Sequence, residues 1–138
     1  MAGGTMRPGR EIDVKVAEQV FGYEVFVKNR ILHERTEKGD RPLRNYTKEI
    51  EWAWLVAEKM RISVVAIEGN QWFAFAASNE GWSGPDAFLT HLQSGQFDLC
   101  GAAVESTAAE AICKAAVTAK HKQSLKAESA LGENSAIN

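Results

Sequence analysis

The sequence predicts an α+β fold, a three-layer α-β-α sandwich with a small, mainly antiparallel sheet and helices on both of its faces. Three observations lead there. Helical and strand-like periodicities follow one another in the order helix, strand, helix, hairpin, strand, helix. The run "WFAFAA" sets Trp72, Ala74 and Ala76 on one side of a strand and Phe73, Phe75 and Ala77 on the other, so neither face of that strand suits water. Three helices are then available to cover the sheet from both sides.

The first helix lies in "GREIDVKVAEQVFGY". Ile12, Val16 and Val20 recur there at i, i+4 and i+8 beside Ala17 and Phe21, and Gly22 stands where a helix commonly closes in the left-handed conformation. "YEVFV", from Tyr23 to Val27, has the β-branched and aromatic content of a short strand. "HERTEKGDRPLRN" is polar, is broken by Gly39-Asp40 and Pro42, and reads as a mobile loop. The second helix is expected to open at Tyr46 and Thr47, with Asn45 or Thr47 as N-cap. Glu49 and Glu51 near its start and Lys59 and Arg61 at its end suit the helix dipole. Within "IEWAWLVAEKM" the expected core stripe is Ile50, Ala53, Trp54, Ala57 and Met60. Trp52 falls off that stripe and, with Leu55, makes an outward apolar patch that needs a cover.

"ISVVAIE" and "WFAFAA" form a hairpin about Gly69-Asn70, while "NEGWSGPDAFLTHLQSG" reads as a long, glycine-punctuated connection. "QFDLCGAAVE" supplies a third strand, with Gly101 marking a bulge or close packing. The third helix begins in "STAAEAICKAAVTAKHK", where Thr107 and Glu110 have capping-box spacing. Ala108, Ile112, Ala115 and Ala119 share one face of it, small enough to let the helix lie close against the sheet. Residues 9–121 therefore read as one domain, and residues 122–138, where the periodicity lapses, as a frayed or disordered tail.

With 138 residues, 45% hydrophobic and 25% charged, the chain is long enough to bury a single core. Its formal charge of −2 is mixed along the sequence, with no basic stripe to follow a phosphate backbone, so nucleic acid is not an expected partner. No apolar run approaches the roughly 18 to 20 residues that span a bilayer, and "MAGGTMRPGREID" lacks the apolar centre of a secretion signal; a cytoplasmic protein without a membrane partner is expected. Cys100 and Cys113 are too few for a disulfide framework and too far apart for a CxxC pair, which leaves two reduced, buried thiols.

Over about residues 9 to 120 the chain resembles the phage ABA sandwich domain, a family of small proteins encoded by phages and prophages. The resemblance is carried by "GREIDVKVAEQVFG", "YTKEIEWAWLVAEKM", the hairpin bearing Trp72, and "STAAEAICKAA". From Asn29 to Arg44 this chain is charged where the family has a tryptophan- and proline-rich segment. The resemblance implies the same layered fold, a phage or prophage origin and action in the host cytoplasm, and it transfers no catalytic motif.

The residues themselves point the same way. His33, His91 and His121 have no i, i+3 or i, i+4 pairing, and no nucleophile elbow, phosphate-cradling loop or dinucleotide fingerprint is present, so neither an enzyme nor a cofactor or metal is expected. Cys113, in a run of alanines, fits packing better than nucleophilic chemistry. Asp13, Glu18, Glu49, Glu51 and Glu58 are expected on wet helix faces, and Glu68 and Glu80 beside turns. Four tryptophans exceed what a small core needs: Trp54 has a core position, whereas Trp82, in a loop, suits an anchor. The expected function is that of a non-enzymatic accessory protein. It would bind a host protein, as an inhibitor of a host defence system does, through Trp82, Trp52, Leu55, Arg35, Arg41 and Arg44, with self-association into a homodimer over the Trp52 patch. The alternative is a protein that sequesters a nucleotide-like small molecule, with tryptophan stacking and arginine facing phosphate.

Overall fold

The structure, a computed structural model, describes residues 9–77 and 81–137. An α-helix, α1 (Arg10–Lys15), runs on as a π-helical turn (Val16–Val20) and ends before Gly22, whose φ of 74° is the left-handed geometry expected there. Three strands follow as an antiparallel meander: β1 (Glu24–Lys28), β2 (Ile31–Thr36) and β3 (Gly39–Pro42). After α2 (Ile50–Met60) come β4 (Ser63–Ile67) and β5 (Gln71–Ala76), then α3 (Pro85–Ser94), β6 (Gly101–Glu105) and α4 (Ala108–Ile137). Strands β4, β5 and β6 form a second antiparallel sheet in that order.

The predicted sandwich is built on this second sheet. One face, with Val64, Ala74, Ala76 and Ala103, turns into the main core and carries α4, which packs against α1 and α2 as well. On the other face Phe75 and Ala77 meet Cys100, Trp82, Phe97 and the α3 side chains Phe88 and Leu92. Phe75 has the rings of Phe88 and Phe97 edge-on at 6.0 and 5.7 Å, contacts worth about 0.5–1.5 kcal/mol each beyond area burial. The apolar character of both faces of β5 is thus explained by a helix on each.

The α4–sheet contact is unusually close because both partners are small. Ala109, Ala111, Ile112, Cys113, Ala115, Ala116 and Ala119 are all buried. A Cβ on Gly101 would stand 2.5 Å from the Ala119 nitrogen and inside the Ala115 carbonyl, so only glycine fits where β6 passes the helix backbone. The helix start agrees with its capping signal: the Glu110 N–H donates to Thr107 Oγ1 at 3.2 Å. The helix then continues to Ile137, through the stretch where a frayed tail is expected from the sequence.

Several expectations are corrected. The charged segment after β1 is not a loop but two strands. Leu32 and Glu34 alternate inward, His33 and Arg35 outward, and a single apolar residue on the inner side is too little to show as strand periodicity. The β1–β2 turn, Asn29-Arg30, has φ of 53° and 65°, a geometry usually signalled by Asn-Gly. The hairpin between β4 and β5 uses three residues, Glu68, Gly69 and Asn70, since Ile67 pairs with Gln71. The connection after β5 contains α3, with Pro85 in its first turn and Gly95 closing it at φ 72°. Glu80 lies outside the described residues. Helix α2 begins at Ile50, not Tyr46, because residues 46–48 form a turn in which Tyr46 and Thr47 are buried.

Gly101→Ala should destabilise the domain by about 3 kcal/mol or more, beyond the usual overpacking cost, since the obstructing atoms are helix backbone that cannot rotate away. Chemical denaturation checks this; a variant with the wild-type midpoint would show that α4 can draw back from β6 freely.

Candidate functional site

Helix α2 turns a different face inward than its sequence first implies. Ala53, Val56 and Ala57 are buried, with Trp52 and Met60 packed beside them, so the core stripe is Trp52, Val56 and Met60 at i, i+4, i+8 together with Ala53 and Ala57. Trp52 is covered from within: it packs on the core, and the Arg44 guanidinium lies 4.0 Å above its ring, a cation–π contact worth about 0.5–1 kcal/mol. The outward patch consists instead of Ile50, Trp54 and Leu55, with 54%, 52% and 36% of their surfaces exposed. Both stripes fit the same eleven residues, and the choice between them was decided by packing, since the alanine pair 53/57 belongs to either.

At the C-terminal end of α2, where Arg61 takes the left-handed conformation, Trp54 borders a groove of about 320 Å³. Glu58, Arg61, Ser63 and Trp82 also line it. Trp82 is half-buried, with its ring 5.2 Å from both Phe88 and His91. It therefore anchors the second aromatic cluster from one side and borders the groove from the other.

The three arginines do not join this surface as one patch. Arg35, on the outer face of the first sheet, pairs with Glu24 and with Asp40 (3.0 Å) and lies 4.6 Å above the Phe26 ring; the hydrogen bond and charge of Asp40, with the charge of Glu24, raise its pKa. Arg41 turns inward to Glu34, whose carboxylate is fully buried, with Nε donating to Oε2 at 2.6 Å. Burial opposes the Arg41 charge, and the hydrogen bond and charge of Glu34 outweigh it. Tyr46 Oη donates to the same carboxylate at 2.8 Å. Arg41 and Arg44 thus satisfy a buried carboxylate and a tryptophan ring, and the structure brings together Arg44 with Trp52, and Trp82 with Trp54.

Two cysteines occupy different settings. Cys113 lies wholly inside the core, and burial, with the nearby charge of Asp13, pushes its thiol well above the ordinary range, which suits packing rather than nucleophilic attack. Cys100 Sγ sits 3.6 Å from His91 Nε2 in the second cluster, a pairing that the nine-residue spacing does not announce. Among the described residues no group of three His, Cys, Asp or Glu side chains is placed to hold a metal ion, and no helix is long and apolar enough to cross a membrane.

The geometry defines an α+β sandwich with exposed apolar side chains on α2 beside a groove that Trp54 and Trp82 line. No family model and no curated protein matches the chain. Among solved structures it is similar to the 2.0 Å crystal structure of a phage protein from Bacillus cereus ATCC 14579, with a TM-score of 0.56 and 21% identity over 83% of this chain and 89% of that one. At that identity the likeness is one of fold.

Tyr46→Phe tests the buried carboxylate. Burial, then the hydrogen bond and charge of Glu34, raise the Tyr46 hydroxyl above its ordinary value of 10.0. Its contribution to stability is therefore complete below pH 10 and is lost as the pH rises further, because the unfolded chain ionises there first. The variant should lose about 1–3 kcal/mol at neutral pH and show a shallower alkaline decline. Equal denaturation midpoints for the two proteins at both neutral and alkaline pH would contradict this.

Proposed function

We propose that the protein is a non-enzymatic phage or prophage accessory protein that acts in the host cytoplasm by binding a host protein, in the manner of an inhibitor of a host defence system. The observation that carries the reading is the outer face of α2. Ile50 and Trp54 stand one turn apart on it with Leu55 alongside, three large apolar side chains in water on a helix otherwise dressed with Glu51, Glu58 and Lys59. Apolar patches rimmed by charge are a common mark of protein interfaces, and an exposed tryptophan is the residue type most often found at their energetic centre. The fold-level likeness to a phage protein from Bacillus cereus supports the origin. Trp54 takes the place of Trp52 beside the expected contact residue Leu55, since Trp52 is held by Arg44 and the core.

A second reading is favoured by the groove. Trp54 and Trp82 offer aromatic surface there, and Arg61 and Glu58 offer charge, which suits a planar, nucleotide-like small molecule. A second copy of the chain is a further candidate occupant of the α2 face.

Trp54→Ala should leave the fold intact, because half of that side chain is already in water, and should weaken capture of a defined host partner at least tenfold, on the order of 2 kcal/mol for an interface anchor. Affinity capture from host lysate, followed by titration of the captured protein, measures this. Unchanged affinity of the variant would refute the α2 face as the contact. Release of an ultraviolet-absorbing compound on denaturing the purified protein would favour the small-molecule reading, and a dimer in light scattering that Trp54→Ala dissociates would favour self-association.

A further inference from the structure

Four strands stand at the edges of the two sheets, and a sheet edge presents backbone N–H and C=O groups that a further strand can take. Three of the four are guarded. β1 carries Glu24 and Lys28, β3 carries Asp40, Arg41 and Pro42, and β6 opens on Gly101 against α4 and closes on Glu105. β4 is not: Ser63-Val64-Val65-Ala66-Ile67 has no charge, proline or glycine, and its last three residues are exposed. Among the described residues, β5 is the one segment that reaches it by backbone hydrogen bonds.

The strand is complementary to a second copy of itself. Val65 lies opposite Phe73 and Phe73 opposite Val104, so the three form a row across the side of the sheet that α3 packs on. The helix covers that side around Phe75 and leaves Val65 and Val104 44% and 47% exposed. Antiparallel pairing of β4 with β4 about Val65 continues this row unbroken through six strands. In the same register Ser63 of one copy faces Ile67 of the other. Ser63 lines the groove of about 320 Å³ together with Ala57, Ile62 and Trp82, so the exposed Ile67 of the second copy arrives at an apolar wall. Arg61 stands just before the strand and Glu68 just after it, and antiparallel pairing brings each acid to the end where the other copy has its base.

We propose that β4 is a self-association edge: two copies of the chain pair β4 to β4, antiparallel about Val65, into one six-stranded sheet, each seating its Ile67 at the groove of the other. Five residues from each copy make a contact below the size of a standard stable interface, so the dimer is reversible. It needs neither a host protein nor the α2 residues Ile50 and Leu55, and it is tested apart from the proposed function.

Sedimentation velocity of the purified protein from about 10 μM to about 1 mM should show a monomer–dimer equilibrium. Val65→Lys sets two lysines face to face at the axis and should sediment as a monomer throughout, with the circular dichroism of the wild type. Ile67→Ala, a milder change at an exposed position, should weaken the dimer about tenfold. Strand pairing has its own signature in the amides: hydrogen exchange along β4 should slow as the concentration rises in the wild type and stay constant in Val65→Lys. A monomer over the whole range would overturn the proposal, as would a dimer whose β4 amides exchange equally fast at both ends of it. A dimer that Leu55→Glu dissociates and Val65→Lys leaves intact would place the contact on α2 and overturn it too.

Discussion

The approach of β6 to α4 sets the spacing of the whole domain. With no Cβ on Gly101, the strand backbone reaches the helix backbone at Ala115 and Ala119, and that distance dictates which residues can line the interface. Ala74, Ala76 and Ala103 on the sheet and Ala109, Ala111, Ala115 and Ala116 on the helix are the small side chains such a gap accepts. Each gains little alone, but close backbone approach multiplies dispersion contacts. Larger side chains, Ile112, Val56 and Val16 among them, fill the rest of the same core. The layer order follows, because a helix this near one sheet face leaves the opposite face to another element, and α3 takes it.

A second, polar constraint fixes the first sheet to this body. Arg10 reaches across from α1 to the Leu43 and Arg44 carbonyls at 3.2 and 3.3 Å and to Asn45 Oδ1 at 2.8 Å, while its Asp13 partner receives the Thr47 N–H. Glu34, with Tyr46 and Arg41, ties β2 and β3 to the same turn. Buried charges are costly, and removing one partner of such a pair commonly costs about 3–5 kcal/mol, so these groups define where the 43–47 turn sits more than they add net stability. That turn in turn determines where α2 begins and which of its faces points to water. The exposed Trp54 and the covered Trp52 are thus downstream of an arginine on α1.

The parts of the fold governed by apolar periodicity were legible in the sequence. The two-sided β5, the alanine-rich α4 with its Thr107 cap, the Gly101 contact and the first helix all follow from patterns that packing then obeys. The parts governed by buried polar groups were not. Strand β2 hides behind charged residues because its inward position 34 is a glutamate, and the start of α2 moves because Thr47 is tied to Asp13 rather than capping the helix. Helix α3 had signals in Pro85, Gly95 and the Phe88/Leu92 spacing, but the glycines at 81 and 84 outweighed them. The candidate surface was misread by one stripe. Trp52 and Trp54 are two residues apart, about 200° around a helix, and the packing of Trp52 on the core, with the Arg44 contact, distinguishes which of them the protein covers. Trp82, which its loop position marks as a binding anchor, packs into its own domain's second cluster and borders the groove.

If the β6–α4 contact is the element on which the rest is assembled, it should be the last to open. Native-state hydrogen exchange measures this residue by residue. The amides of Ile112 to Ala119 and of Phe73 to Ala76 should exchange only through global unfolding, with the same free energy, while those of β1 to β3 and of the α4 segment beyond Gln123 exchange through smaller openings. Protection that is highest in the first sheet, or an α4 that opens at a lower free energy than β1 to β3, would contradict the account.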